Sequence, residues 1–141
     1  MKSDFPTKFF QKQKVSERTV FKYFRNAVKD FQIASKNEEP EVIFKFSYDG
    51  LIKIGIALIS ADGYRIRSRV GHHIKILEKL SQILNNEDIA IIGNKMRKKR
   101  NLDLYDGGII IGLREAKQYL DFIEKVIKKG EEHLKHQHSL L

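Results

Sequence analysis

The 141 residues are 41% hydrophobic and 32% charged, the ordinary balance of a globular domain with a single core. There is no cysteine, which excludes a disulfide framework and a thiolate metal site and fits a cytoplasmic protein. The formal charge of +9 directs attention to polyanionic partners, nucleic acid before an anionic membrane, with plain solubility as the simpler account.

Taken in chain order, residues 1–15 set Phe5, Phe9, Phe10 and Val15 among Lys and Gln. They read as a short helix or as an arm that docks its aromatic rings on the body. Ser16 is a good N-cap, and Glu17 suits the positive end of a helix dipole. Val20, Phe21, Phe24, Ala27, Val28, Phe31 and Ala34 then recur at threes and fours, which predicts an amphipathic helix to about Lys36. Asn37-Glu38-Glu39-Pro40 ends that helix, and Pro40 stands in the first turn of the next.

The second helix, about 40–62, is apolar nearly all round, so other helices must surround it. Val42 to Ala61 has the length of a membrane span, but Lys45, Asp49 and Lys53 interrupt it at four-residue spacing. Charges at mid-bilayer are costly, so the segment reads as the central helix of a soluble bundle, with those three on a solvent or partner edge. Gly50 and Gly55 each cost about 1 kcal/mol against Ala in a helix, which a close helix approach can offset. Asp62-Gly63 stops the helix.

Tyr64 to Val70 alternates Arg65, Arg67 and Arg69 with Tyr, Ile, Ser and Val. A lone strand would have nothing to pair with, so a loop or an irregular helix start is expected. His72-His73 opens the third helix, with Ile74, Leu77, Leu80 and Leu84 as its stripe and Asn85-Asn86 as its stop. A fourth helix from Glu87 to Tyr105 buries Ile89, Ile92 and Met96 on one side and sets a basic motif on the other. Gly107-Gly108 ends it, and Ile109-Ile110-Ile111 is an apolar connector. A fifth begins near Leu113 with Ala116, Leu120, Ile123 and Ile127, and beyond Gly130 the polar residues 131–141 are expected to fray. The sum is an all-α bundle of four to five helices over residues 16–130, with an arm before it and a polar tail after it.

The motif on the fourth helix is Arg97-Lys98-Lys99-Arg100-Asn101-Leu102-Asp103-Leu104-Tyr105. A run of cations is ordinarily a solvated face. Here Arg97, Asn101 and Tyr105 follow one another at i, i+4, so a guanidinium, an amide and a phenol share one stripe that suits a phosphate and a base. His72 and His73 read either as helix-start polarity or as a phosphate or base contact beside Arg65, Arg67 and Arg69. His133, His136 and His138 lack a carboxylate or Cys at ligand spacing, so no metal or other cofactor is expected. No phosphate-cradling Gly-rich loop and no Ser–His nucleophile arrangement is present.

The order of Asp62-Gly63-Tyr64-Arg65, then Gly71-His72-His73, then the motif ending in Tyr105 resembles the HEPN superfamily of helical proteins. Within it, the chain is similar to a branch whose basic helix ends Arg-Asn-x-x-x-Tyr. The resemblance covers nearly the whole chain and implies an up-and-down helical bundle. It also implies RNA cleavage without metal by a homodimer, in which an Arg stabilises the crowded phosphate and a His serves as acid or base for attack by the ribose 2′-hydroxyl. Arg100 then matches that Arg and Asn101 its polar neighbour, with Lys98 and Lys99 as further nucleic-acid contacts, while Tyr105 stands where His is expected. A phenol with a pKa of about 10 is a poor base at neutral pH. Arg100 and Tyr105 also lie roughly 140° apart around an ideal helix, so Arg97 aligns better with Tyr105. The resemblance further implies a toxin–antitoxin or defence module with a small nucleotidyltransferase partner. A non-catalytic module that binds nucleic acid or a partner protein through the same stripe is the second reading. A third is self-association of the stripe with Asp103 or Asp106 of a twin subunit.

Overall fold

The computed structural model describes residues 4–106 and 110–138, apart from the side chains of 103–106 and 138. Five helices, α1 (Glu17–Ser35), α2 (Pro40–Ala61), α3 (His72–Ile83), α4 (Glu87–Asp106) and α5 (Leu113–His138), form an all-α fold. A two-stranded antiparallel ribbon, β1 (Phe10–Lys12) with β2 (Tyr64–Ile66), is added at its side.

The helix starts and stops follow the local chemistry. The Ser16 side chain accepts from Thr19 N–H at 3.1 Å and caps α1. Gly63 takes the left-handed conformation that ends α2 (φ 87°), and Asn85 does so after α3 (φ 50°). The α2 helix packs against α1, α3, α4, α5 and β2, and thirteen of its 22 residues are buried. That answers the apolar surface it carries all round. No helix among the described residues is long and apolar enough to cross a membrane. The glycines of α2 sit at close approaches: a Cβ on Gly50 would lie 3.4 Å from the Ala27 carbonyl of α1, and one on Gly55 would collide with Ile76 of α3. Lys53 turns from the expected open edge to the buried Asp30 of α1, at 2.7 Å.

Three expectations need correction. The segment after Gly63 does hold a strand, because its partner comes from the N-terminal arm: Phe10, Gln11 and Lys12 pair with Ile66, Arg65 and Tyr64. The arm is fastened by side chains as well. Phe5 stacks on Tyr64 at 4.0 Å, and the buried Lys79 donates to the Asp4 carbonyl and lies over the Phe5 ring.

The stripe of α3 is also rotated. Ile76, Leu77 and Leu80 are buried, whereas Ile74 and Leu84 are half-buried. One turn before Ile76 on that inward line stands His73. Finally, α5 does not end at Gly130. Its inward line runs Ala116, Tyr119, Ile123, Val126, Gly130 and Leu134, all buried, so residues 131–138 continue the helix. Gly130 marks a close approach to Phe24, whose Cε1 would lie 3.1 Å from an added Cβ. The Gly107-Gly108 stop lies outside the described residues.

Candidate functional site

Two stretches of chain, 69–73 and 97–101, converge on one cleft of about 420 Å³. The β2–α3 link supplies Arg69, Val70 and Gly71, the first turn of α3 supplies His72 and His73, and α4 supplies Arg97, Arg100 and Asn101. Gly71 holds a left-handed conformation (φ 80°) directly before α3. That turn brings the link and the helix start to the same rim.

The α4 residues reach the cleft because the basic motif does not lie opposite the buried side, as the sequence suggested. Ile89, Gly93 and Met96 are buried, and Arg100 is the next residue on that line. Its guanidinium lies over the ring of Tyr48, 5.4 Å from the centroid. A planar cation on an aromatic face is attracted by the ring quadrupole. Arg97, one turn earlier, is half-buried and donates from Nε to Asn94 Oδ1 at 3.0 Å. Asn101 is exposed on the rim.

Tyr48 itself is fully buried in α2, and its hydroxyl meets His73 Nδ1 at 2.9 Å. His72 Nδ1 lies 2.8 Å from the Arg69 carbonyl, and the two imidazoles are edge to face with centroids 4.6 Å apart. Burial pushes the Tyr48 phenol up to about 12, against the pull of Arg100 and Arg97. His73 is pushed down to about 4 by burial first, then by its neighbours His72, Arg100 and Arg97. The half-buried Asp49 carboxyl is raised by desolvation, which the Arg100 guanidinium opposes. At neutral pH the cleft therefore pairs fixed guanidinium charge with a neutral His73–Tyr48 couple.

The sequence-derived candidates divide, with Arg69 on both sides: it lines the cleft, while its Nη1 donates to the Lys8 carbonyl of the arm at 3.0 Å. Arg97, Arg100, Asn101, His72, His73 and Arg69 come together. Arg67 turns its Nε to the Thr7 carbonyl at 2.9 Å and fastens the arm, while Arg65 is exposed on β2. Lys98 is exposed, and Lys99 leaves for α5, where it lies 3.4 Å from Glu115 Oε2 and 3.3 Å from the Ile110 carbonyl. The Tyr105 side chain and those of Asp103 and Asp106 lie outside the described residues, so the predicted Arg97–Asn101–Tyr105 stripe is described only as far as Asn101. The residue that sequence reasoning missed is Tyr48. Its signal was Ser47-Tyr48-Asp49, a polar triplet inside an otherwise apolar helix, since a buried phenol needs a hydrogen-bond partner.

A second groove, about 550 Å³, lies between the end of α3 and the last turns of α5 and is lined by Ile83, Leu84, Lys129, Glu132, His133 and His136. Among the described residues no group of three or more His, Asp or Glu side chains could hold a metal ion. No protein-family model, curated protein or solved structure matches the chain.

Proposed function

We propose that this is a HEPN-like protein that binds RNA through the Arg69–His72–His73–Arg97–Arg100–Asn101 cleft and cleaves it there without a metal. The observation that carries the reading is the convergence of the Arg97 and Arg100 guanidiniums of α4 with the two imidazoles of α3 on one cleft, with Arg69 at its rim. Guanidinium forks match phosphate oxygens, and imidazoles are the side chains best suited to proton transfer near neutral pH.

In this reading Arg97 and Arg100 hold the scissile phosphate and Asn101 contacts the sugar or base. The 2′-oxygen bonds to phosphorus while the bond from phosphorus to the 5′-oxygen breaks. The 2′-hydroxyl proton passes to a cleft imidazole, and the departing 5′-oxygen takes a proton from water. The products are a 2′,3′-cyclic phosphate and a 5′-hydroxyl. Arg100, set on the Tyr48 face, stabilises the charge that gathers on the phosphate. The active unit is a homodimer, and a small nucleotidyltransferase is its partner in a toxin–antitoxin or defence module, as the resemblance implies.

The test is single-stranded RNA incubated with pure protein in EDTA, with Arg100→Ala alongside. The expected result is cyclic-phosphate ends from the native chain and a rate lowered about 100-fold by the substitution. Equal slow decay in both samples removes the nuclease. Salt-dependent binding that persists without cleavage, its slope reduced by about one for each arginine removed, would favour the non-catalytic module instead.

A further inference from the structure

The two histidines of the cleft are neighbours in sequence, but their ring nitrogens meet different partners. His72 Nδ1 faces a backbone carbonyl, that of Arg69, at 2.8 Å. A carbonyl only accepts, so Nδ1 must carry the proton. A neutral His72 then has a bare Nε2. His73 Nδ1 faces the hydroxyl of Tyr48 at 2.9 Å. A phenol can donate or accept, so the direction needs an argument, and two agree.

The phenol is fully buried, and His73 Nδ1 is its hydrogen-bond partner among the described residues. Were the imidazole to donate, the phenolic proton would be stranded in the core without an acceptor. In addition, an unprotonated imidazole nitrogen is a stronger acceptor than a phenol oxygen. Tyr48 therefore donates to Nδ1, and the proton of a neutral His73 sits on Nε2.

We infer that Tyr48 and the Arg69 carbonyl lock the two adjacent imidazoles in opposite tautomers, so that His72 offers the cleft a proton acceptor and His73 a proton donor. The surrounding charge disfavours an imidazolium at His73. His73 faces the phenol of α2, the His72 ring of α3 and the guanidiniums of Arg97 and Arg100 from α4, with Asp49 as the nearby carboxyl on α2. Its depressed pKa of about 4 accords with a ring that stays neutral.

This inference rests on the proposed function for its chemistry: His72 Nε2 receives the 2′-hydroxyl proton, and His73 Nε2–H donates to a phosphate oxygen. Tyr48 is then a positioning residue, holding His73 with its hydroxyl and Arg100 with its ring face.

Nitrogen chemical shifts of the two imidazoles at pH 7.5 decide the matter on the free protein. The expected spectrum has a protonated Nδ1 and a bare Nε2 for His72, and the reverse for His73. Tyr48→Phe, which keeps the ring beneath Arg100, moves His73 toward a mixture of tautomers and leaves His72 unchanged. The same tautomer in both residues, or a His73 spectrum indifferent to Tyr48→Phe, overturns the assignment. If Tyr48→Phe does not fold, the native spectrum alone decides. RNA added to the same sample separates this inference from the reading beneath it. Opposite tautomers with no response to RNA retain the lock and sink the RNA-binding role. A response to RNA with matching tautomers does the opposite.

Discussion

Two grooves of this molecule each carry two histidines, and they differ in the charges around the rings. In the first, His72 and His73 are held by a backbone carbonyl and a buried phenol, and the nearby charges are the guanidiniums of Arg97 and Arg100. In the second, His133 and His136 stand on α5 beside Glu132 and Lys129, over the apolar Ile83 and Leu84. The opposite charges there offset each other, and no buried group fixes the ring of His133 among the interactions described. The difference teaches that a histidine pair acquires a chemical role from what lies beneath it. A fixed tautomer needs a fixed partner, which the core supplies for His73 and the backbone of the β2–α3 link for His72.

The largest effect expected from probing this contrast lies in the helix that carries the second pair. Leu134 of α5, between His133 and His136 in sequence, is fully buried in the core, so Leu134→Ala should lower the unfolding free energy by about 2–5 kcal/mol through lost transfer energy and a cavity. Urea denaturation reads this, and RNA affinity per folded molecule should not change. A stability within experimental error of the native chain would return residues 131–138 to the status of a frayed tail.

Next comes pH. His73 has its pKa lowered from 6.5 to about 4, so between those values the unfolded chain binds a proton that the folded chain refuses. Stability from this source is complete above about 6.5 and is lost as the pH falls through about 4. The urea midpoint should therefore fall across that window, and His73→Gln should flatten the fall. Identical slopes for the two proteins would show that the first groove does not hold its histidine as described.

The smallest effect concerns Ser47, the neighbour of Tyr48. Its hydroxyl is fully buried and has no hydrogen-bond partner among the described residues. Ser47→Ala should be neutral or stabilising by up to about 1 kcal/mol, because it removes a polar group that gains nothing from burial. A clear loss of stability would mean that the polar triplet acts as a unit.

Much of this was legible in the sequence wherever a short-range rule applied. Ser16, Pro40, Asp62-Gly63 and Asn85-Asn86 marked helix ends through their own backbone and side-chain preferences. The all-round apolar composition of α2 placed it at the centre. The site was legible only in part. Arg97 and Asn101 were picked out for a stripe along one helix, Arg100 through the resemblance, and His72 and His73 as contacts beside Arg65, Arg67 and Arg69, whereas the cleft joins residues from both stretches. Arg65, Arg67 and Arg69 looked equal in sequence, yet Arg65 is exposed, Arg67 and Arg69 both donate to carbonyls of the arm, and of the three Arg69 lines the cleft.

What the chain settles unaided is the set of its helices, their order and the excess of cationic side chains, because capping, hydrophobic period and charge act over a few residues. What tertiary contact alone decides is the strand partner at Phe10–Lys12, the continuation of α5 through Gly130 and the meeting of Tyr48 with His73 and Arg100. Each of these depends on residues 20 or more positions apart, and only the packing of α2 against its neighbours brings such residues within hydrogen-bonding distance or contact.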